Sequence, residues 1–122
     1  MISVSEKEDL VQPKEADFFL VVTTTDSRKA ADSLARALVE KRLAACVQVD
    51  GPLTSFYRWD GEMECSTEYR VSVKTTASAR QQVMDSIGQL HSYDVPQVIC
   101  LPIVAGEAKY LGWIEAEVFA EE

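Results

Sequence analysis

A chain of 122 residues, 47% of them hydrophobic, has the length of one domain and can bury a single core. Its 12 lysine and arginine residues face 20 aspartate and glutamate residues, a net charge of −8, so it lacks the basic surface that nucleic-acid binding requires. Residues 1–16 carry acidic side chains where a secretory signal carries basic ones, and no signal-type hydrophobic region follows them. We therefore expect a cytoplasmic protein without a nucleic-acid or membrane partner.

The first elements of the chain are predicted to be a buried strand and an amphipathic helix. The run FFLVVTTT at residues 18–25 is apolar at successive positions. This pattern is typical of a strand that is covered on both faces or lies in the middle of a sheet. Asp26 or Ser27 can then cap a helix that extends from about residue 27 to residue 41.

A long β-hairpin is predicted over residues 43–75. Its turn is the dipeptide Asp60-Gly61, which is a strong hairpin signal. The dipeptide Gly51-Pro52 marks a bulge or an edge position, because proline cannot donate a ladder hydrogen bond. With arms of roughly 15 residues, longer than average strands, the hairpin is expected to project beyond the sheet and to require a partner.

The C-terminal part of the chain is predicted to contain a helix, a strand and a short terminal helix. A capping box at Ser78 begins the first of these helices, which ends near His91. The apolar run at residues 98–104 fits a central strand, although Pro102 within it favours an edge or a bulge. Apolar residues at helical spacing over residues 110–118 then predict the terminal helix.

This order of elements is strand, helix, strand, strand, helix, strand and helix. It is the pattern of an α+β ferredoxin-like βαββαβ sandwich, in which one antiparallel sheet carries its helices on one face. The sandwich is expected to occupy residues 16–119 as a single domain, with a long hairpin between its second and third strands. The polar composition of residues 1–15 predicts a disordered tail.

The three cysteines, Cys46, Cys65 and Cys100, are an odd number and are widely spaced. Zinc sites and redox pairs usually place two cysteines within a few residues of each other. A disulfide framework is therefore not expected. Each cysteine is interpreted as a small buried hydrophobic residue, with thiolate ligation of a metal as the alternative.

Five separated segments of the chain resemble the CutA family, which is linked to divalent-cation tolerance. They are EKRLAAC at residues 40–46, YRWDG at 57–61, KT at 74–75, HSY at 91–93, and LPI with YLGW at 101–103 and 110–113. The resemblance covers residues 18–118. It implies a non-enzymatic homotrimer of ferredoxin-like subunits, whose sheets join edge to edge through the long hairpins, with a role in tolerance to copper and other divalent cations.

The resemblance also implies weak binding of copper(II) or of another divalent cation. The ligands usually proposed for the family are a cysteine near the end of the first strand and a pair of adjacent histidines. Here these positions hold Val22, Leu90 and His91, and the glutamate often found later is Gln97. His91, the only histidine, is therefore the predicted metal ligand. The alternative is a structural role, as a helix cap or a hydrogen-bonded residue.

Four further residues are assigned to a cleft or interface between subunits: Tyr57, Trp59, Lys74 and Tyr93. In one interpretation they form a pocket for an anion or a polar ligand. In the other, the two large amphipathic residues Tyr57 and Trp59 anchor the trimer, and Lys74 pairs with a carboxylate. The acidic residues of the hairpin can attract divalent cations loosely or simply face solvent.

Catalysis is not expected from this sequence. It has no G-x-x-x-x-G-K phosphate loop and no G-x-S-x-G nucleophile motif, and a catalytic triad is hard to assemble with one histidine and no adjacent nucleophile pair. Tyr110 and Trp113 are interpreted as hydrophobic closure of the terminal helix. Two other functions stay open: a trimeric small-molecule sensor resembling the PII signalling proteins, and a trimeric scaffold for a protein partner that the sequence does not identify.

Overall fold

The computed structural model describes residues 16–119. It confirms the predicted α+β order of four strands and three helices. The elements are β1 (Phe18–Thr25), α1 (Arg28–Glu40), β2 (Cys46–Trp59), β3 (Glu62–Thr76), α2 (Arg80–Leu90), β4 (Val98–Pro102) and α3 (Ala108–Glu117). The strands form one antiparallel sheet in the order β2-β3-β1-β4. The predicted tail at residues 1–15 lies outside the described residues.

Strand β1 is central and strand β4 is at the edge of the sheet. β1 pairs with β3 on one side and with β4 on the other, as its apolar sequence predicted. The expectation that β4 is a central strand was wrong. The edge position that Pro102 favoured is confirmed. Pro102 is the last residue of β4, and because proline has no backbone N–H it could not complete hydrogen bonds to neighbouring strands on both sides.

The β2–β3 hairpin projects beyond the rest of the sheet. At its turn, Asp60 and Gly61 both have positive φ, 51° and 80°, which suits the right-handed twist of a tight hairpin. The register shifts between Asp50 and Leu53, so the predicted bulge is present. In the described residues β3 pairs with β1 over residues 69–76, and the outer part of the hairpin pairs with itself.

The main core lies between one face of the sheet and helices α1 and α2. Val21 and Val71 of the sheet pack with Leu38 of α1 and Ile87 of α2, all of them fully buried. Apolar residues at helical spacing and at alternate strand positions thus meet in one layer. The open face of the sheet, opposite these helices, carries the alternate residues, including Leu20, Val22, Ile99 and Leu101.

The two helix starts show where capping signals succeed and where they fail. Ser27 caps α1 by accepting a hydrogen bond from the N–H of Ala30 at 3.0 Å, as predicted. The capping box at Ser78 was wrong: α2 begins later, with Ala79 at its N-cap. The Ser78 hydroxyl is instead hydrogen-bonded to the hydroxyl of Thr76, at 3.1 Å.

Helix α3 closes a smaller apolar cluster. Ile114 and Val118 are buried there, together with Ala79. Tyr110 and Trp113, which were interpreted as the closure, are both exposed, with ring centroids 5.7 Å apart. The aliphatic side of the helix therefore closes the cluster, and the aromatic side is left uncovered in the single chain.

The cysteines differ from one another in burial, and all three are free thiols. Cys46 and Cys100 are half-buried, and burial raises the pKa of the Cys100 thiol. Cys65 is exposed, so the prediction of burial was wrong for this residue. It pairs with Phe56 in the outer part of the hairpin, where no helix of the described chain covers the sheet.

Candidate functional site

A cleft of about 630 Å³ lies between the outer hairpin and the loop that joins α2 to β4. The hairpin contributes residues from one face of the ribbon, because side chains alternate along a strand, and also Phe56 from the other face. The cleft is lined by Thr24, Ser55, Phe56, Tyr57, Trp59, Glu64, Glu68, Tyr93, Asp94, Val95 and Gln97. Three segments that are far apart in the sequence, the end of β1, the hairpin and the loop after α2, therefore meet at this position.

The cleft brings together three of the four residues assigned to a cleft or interface. Tyr57 and Trp59 lie on the hairpin side, and Tyr93 lies on the loop side. Lys74 is not among the lining residues. Its ammonium group donates a hydrogen bond to the side-chain oxygen of Gln48 at 2.8 Å, rather than to a carboxylate, and lies 5.5 Å from the centroid of the Tyr110 ring.

His91 is held by hydrogen bonds at both ring nitrogens. Nδ1 accepts a hydrogen bond from the backbone N–H of Tyr93 at 3.1 Å, so the proton of the neutral ring belongs on Nε2. Nε2 then donates to the carbonyl oxygen of Thr24, at 2.6 Å. The imidazole thus ties the end of α2 to strand β1, and its ring packs 4.7 Å from that of Tyr93, centroid to centroid.

The surroundings of His91 do not fit a preformed metal site. Residues 16–119 contain no group of three or more histidine, cysteine, aspartate or glutamate side chains placed to hold a metal ion. A copper(II) ion at His91 would also have to displace one of the two hydrogen bonds of the imidazole. Metal binding by His91 stays a prediction, and it would require the ring to rearrange.

Tyr93 and Glu68 form a polar contact inside the cleft. The Tyr93 hydroxyl donates a hydrogen bond to Oε2 of Glu68 at 3.1 Å. Burial, followed by the negative charge of Glu68, raises the pKa of Tyr93 to about 12. Glu68 is one of the acidic residues of the hairpin. No local signal in the sequence shows that Tyr93 reaches it, since the contact depends on how the loop packs against the hairpin.

This raised pKa predicts a loss of stability in alkali. Because the folded state favours the neutral phenol, the contribution of Tyr93 is complete below pH 10, the ordinary pKa, and is lost as the pH rises through about 12. The free energy of unfolding of the unmodified protein, minus that of Tyr93→Phe, should therefore decrease from pH 10 to pH 12. Urea denaturation across this range measures the difference, with Tyr110→Phe as the control outside the cleft. A difference that does not change with pH would contradict the prediction.

Comparison with known proteins assigns this chain to one family. A family model described as "CutA1 divalent ion tolerance protein" matches residues 19–117, a range that includes every residue of the cleft. The chain belongs to the CutA1 family. The resemblance found in the sequence is therefore confirmed for the family. It is also confirmed for the fold, because solved CutA1-family structures share it.

Individual relatives agree with this placement. The divalent-cation tolerance protein CutA of Thermus thermophilus is 43% identical over 95 residues, covering 78% of this chain and 92% of that protein. Human protein CutA is 41% identical over 91 residues, covering 75% of this chain, which spans 51% of the human protein's length. The crystal structure of CutA from Xylella fastidiosa superposes with a TM-score of 0.83 at 33% identity, covering 85% of this chain and all of that one.

Proposed function

We propose that this CutA1-family protein acts in divalent-cation tolerance as a non-enzymatic homotrimer, in which each hairpin covers a sheet edge of the next subunit. Family membership supports the role in tolerance. The observation that carries the assembly is the pair of open sheet edges, β2 and β4, together with the apolar residues exposed near them. Unpaired strand edges of this length are usually covered in native proteins.

The geometry of the two edges favours a ring. The outer part of β2 and the short β4 lie at opposite sides of the sheet. A contact between them joins two different surfaces, head to tail, and such contacts close into rings when the rotation between subunits allows it. Phe56 and Met63 of the hairpin, and Ile99 and Leu101 of β4, are exposed apolar residues that this contact would bury. The resemblance supplies the number of three subunits.

The proposed site of action is the cytoplasm. The acidic charge of the chain supports a protein without nucleic-acid partners. Among residues 16–119, no helix is long and apolar enough to cross a bilayer.

A non-enzymatic role is supported by the engagement of the only imidazole, at His91, in two structural hydrogen bonds. The proposed partner is the chain itself, and a scaffold role with another protein stays a prediction.

A copper(II) titration tests the proposed role in divalent-cation tolerance, for which we expect weak copper(II) binding. We expect native mass spectrometry of the tag-free, metal-stripped protein to give a trimer mass, and copper(II) to add in saturable steps that His91→Ala removes. The binding is expected to be weak because the ring must first release Thr24 or Tyr93. Cys65→Ser, which removes the exposed thiol, is the matched control.

Each outcome of this titration has a distinct meaning. If Cys65→Ser abolishes the steps and His91→Ala does not, the ligand is the thiol and the assignment of His91 is wrong. A trimer that takes up no copper(II) would contradict metal binding and leave the assembly supported. A monomer mass would contradict the assembly itself.

A small-molecule sensor is the second candidate function, and the cleft favours it. Its volume of about 630 Å³ lies in the range of roughly 300–1,000 Å³ that is typical of ligand pockets. Aromatic and polar side chains converge on it, as they do in such pockets. This candidate and the role in tolerance can coexist in one protein, because the cleft uses residues other than His91 and Lys74.

A further inference from the structure

The cleft has a one-sided charge. Its lining contains three carboxylates, Glu64, Glu68 and Asp94, and none of its eleven residues is lysine, arginine or histidine. The chain as a whole carries a net charge of −8, so the surroundings add to the negative potential. An anion pocket, one of the two interpretations of the sequence, is disfavoured by this lining. A cation is the ligand that matches it.

Glu68 provides an independent reason to expect a cationic ligand. Its relative exposure is 9%, and its carboxylate accepts a hydrogen bond from a neutral phenol, Tyr93. Glutamate is rarely so buried unless it is paired with a positive charge. The ion pairs of Arg28, Arg42 and Arg70 all lie elsewhere. Among residues 16–119, no ion pair balances the charge of Glu68.

Aromatic rings line the hairpin side of the cleft, next to the carboxylates of the same strands. Tyr57 and Trp59 are 43% and 51% exposed, so part of each ring is open to solvent. Val95 adds an exposed apolar side chain at the rim. Organic ammonium and guanidinium groups are attracted to the faces of such rings, tryptophan most strongly. An aliphatic stem attached to the cation would find apolar contacts beside them.

The spacing of the carboxylates favours an organic cation over a metal ion. Calcium and magnesium require several oxygen ligands converging at about 2.0–2.6 Å. The acidic residues of the cleft do not form a group of three or more that could hold a metal, within the range 16–119. Negative charge that is spread around an aromatic wall suits a larger and more weakly hydrated ion. We propose that the cleft binds a small organic cation, an alkylammonium or guanidinium group on a short apolar stem.

This inference rests on the small-molecule candidate and on an assembly that leaves the cleft open. The probes are n-butylammonium, 1,4-diaminobutane and guanidinium, with 1-butanol as the neutral control and constant ionic strength throughout. The chain has two tryptophans, so Trp113→Phe leaves the fluorescence of Trp59 as a reporter inside the cleft. We expect saturable quenching or enhancement by the amines, a rise in thermal midpoint, and no response to 1-butanol.

Variants test which residues carry the binding. Glu68→Gln is expected to raise the dissociation constant for n-butylammonium roughly tenfold to a hundredfold, because it removes a charged hydrogen-bond acceptor. Trp59→Leu should raise the dissociation constant for n-butylammonium roughly threefold to thirtyfold, measured by calorimetry because this variant lacks the fluorescent reporter. Glu40→Gln removes the same charge from an exposed position on α1 and should change the constant less than twofold, about the precision of the measurement.

The remaining outcomes show whether a free amine, a metal ion or a neighbouring subunit occupies the cleft. They also distinguish failure of this proposal from failure of the proposed trimer. If the amines do not bind and Glu68→Gln weakens the assembly, a basic side chain of a neighbouring subunit fills the cleft, and the proposal is overturned. If Mg²⁺ saturates the Trp59 signal at lower concentration than n-butylammonium does, the site is a metal site, and the proposal is likewise overturned. The oligomer mass is measured separately, so failure of amine binding does not imply failure of the proposed trimer.

Discussion

Leu101→Lys is expected to break the assembly into monomers while leaving the subunit folded. Leu101 is 43% exposed in the single chain and lies on the open face of β4, where an edge strand tolerates lysine. In the proposed ring a neighbouring subunit covers this position. The variant would lose an apolar contact and bury an unpaired ammonium group, at a cost of at least about 2 kcal/mol per contact.

The matched control is Val39→Lys, at a position of nearly equal exposure, 44%, on helix α1. This residue lies on the other layer of the sandwich, so its replacement should leave the oligomer mass unchanged. Native mass spectrometry and light scattering measure the mass. Thermal unfolding at several protein concentrations measures the coupling, because the midpoint of a dissociating oligomer rises with concentration. Monomers from both variants, or from neither, would remove support for the β4 edge as the contact.

Gly51→Ala is expected to destabilise the subunit by about 2–4 kcal/mol. The φ angle of residue 51 is +141°, in a region that side chains disfavour. A Cβ atom there would lie 2.9 Å from Cδ1 of Tyr69 and 3.0 Å from the carbonyl oxygen of Glu68. The second of these atoms is backbone and cannot move without shifting β3. Because Glu68 lines the cleft, the variant should also weaken binding there.

Gly88→Ala is the control for the same chemical change. It lies in helix α2, and a Cβ atom at this position would meet no atom within 4 Å. Alanine should therefore stabilise the helix, by up to about 1 kcal/mol. Urea denaturation followed by circular dichroism, at one fixed protein concentration, compares the two. A Gly51→Ala protein as stable as the parent would show that the bulge between Asp50 and Leu53 can rearrange.

Much of the secondary structure could be predicted because its signals are local. The helix expected over residues 27–41 is present as α1, and the turn at Asp60 and Gly61 has the positive φ angles that its residues favour. The errors arose where a local signal had a second use. The Ser78 hydroxyl bonds to Thr76 instead of capping α2, and the apolar run of β4 lies at an edge rather than in the centre.

The candidate site was predictable in part. Tyr57, Trp59 and Tyr93 were assigned to a cleft and do line one, although whether that cleft lies between subunits stays a prediction. Lys74, assigned with them, does not line this cleft and lies beside Gln48 and Tyr110; its place at a subunit interface stays a prediction. Residue type alone cannot distinguish these cases, because a lysine on the polar face of a strand has the same pattern in either position.

The sequence by itself determined most of the elements and the acidic character of this protein, since periodicity, turn residues and net charge are properties of neighbouring residues or of composition. The family was indicated by the resemblance of separated motifs. Tertiary structure alone decided what the polar side chains do. His91 bonds to Thr24 across 67 positions, and Tyr93 bonds to Glu68 across 25. Contacts of this kind depend on how the loop after α2 packs against β1 and the hairpin. That a carboxylate is buried with no ion pair among residues 16–119 is recognised only when that packing is known.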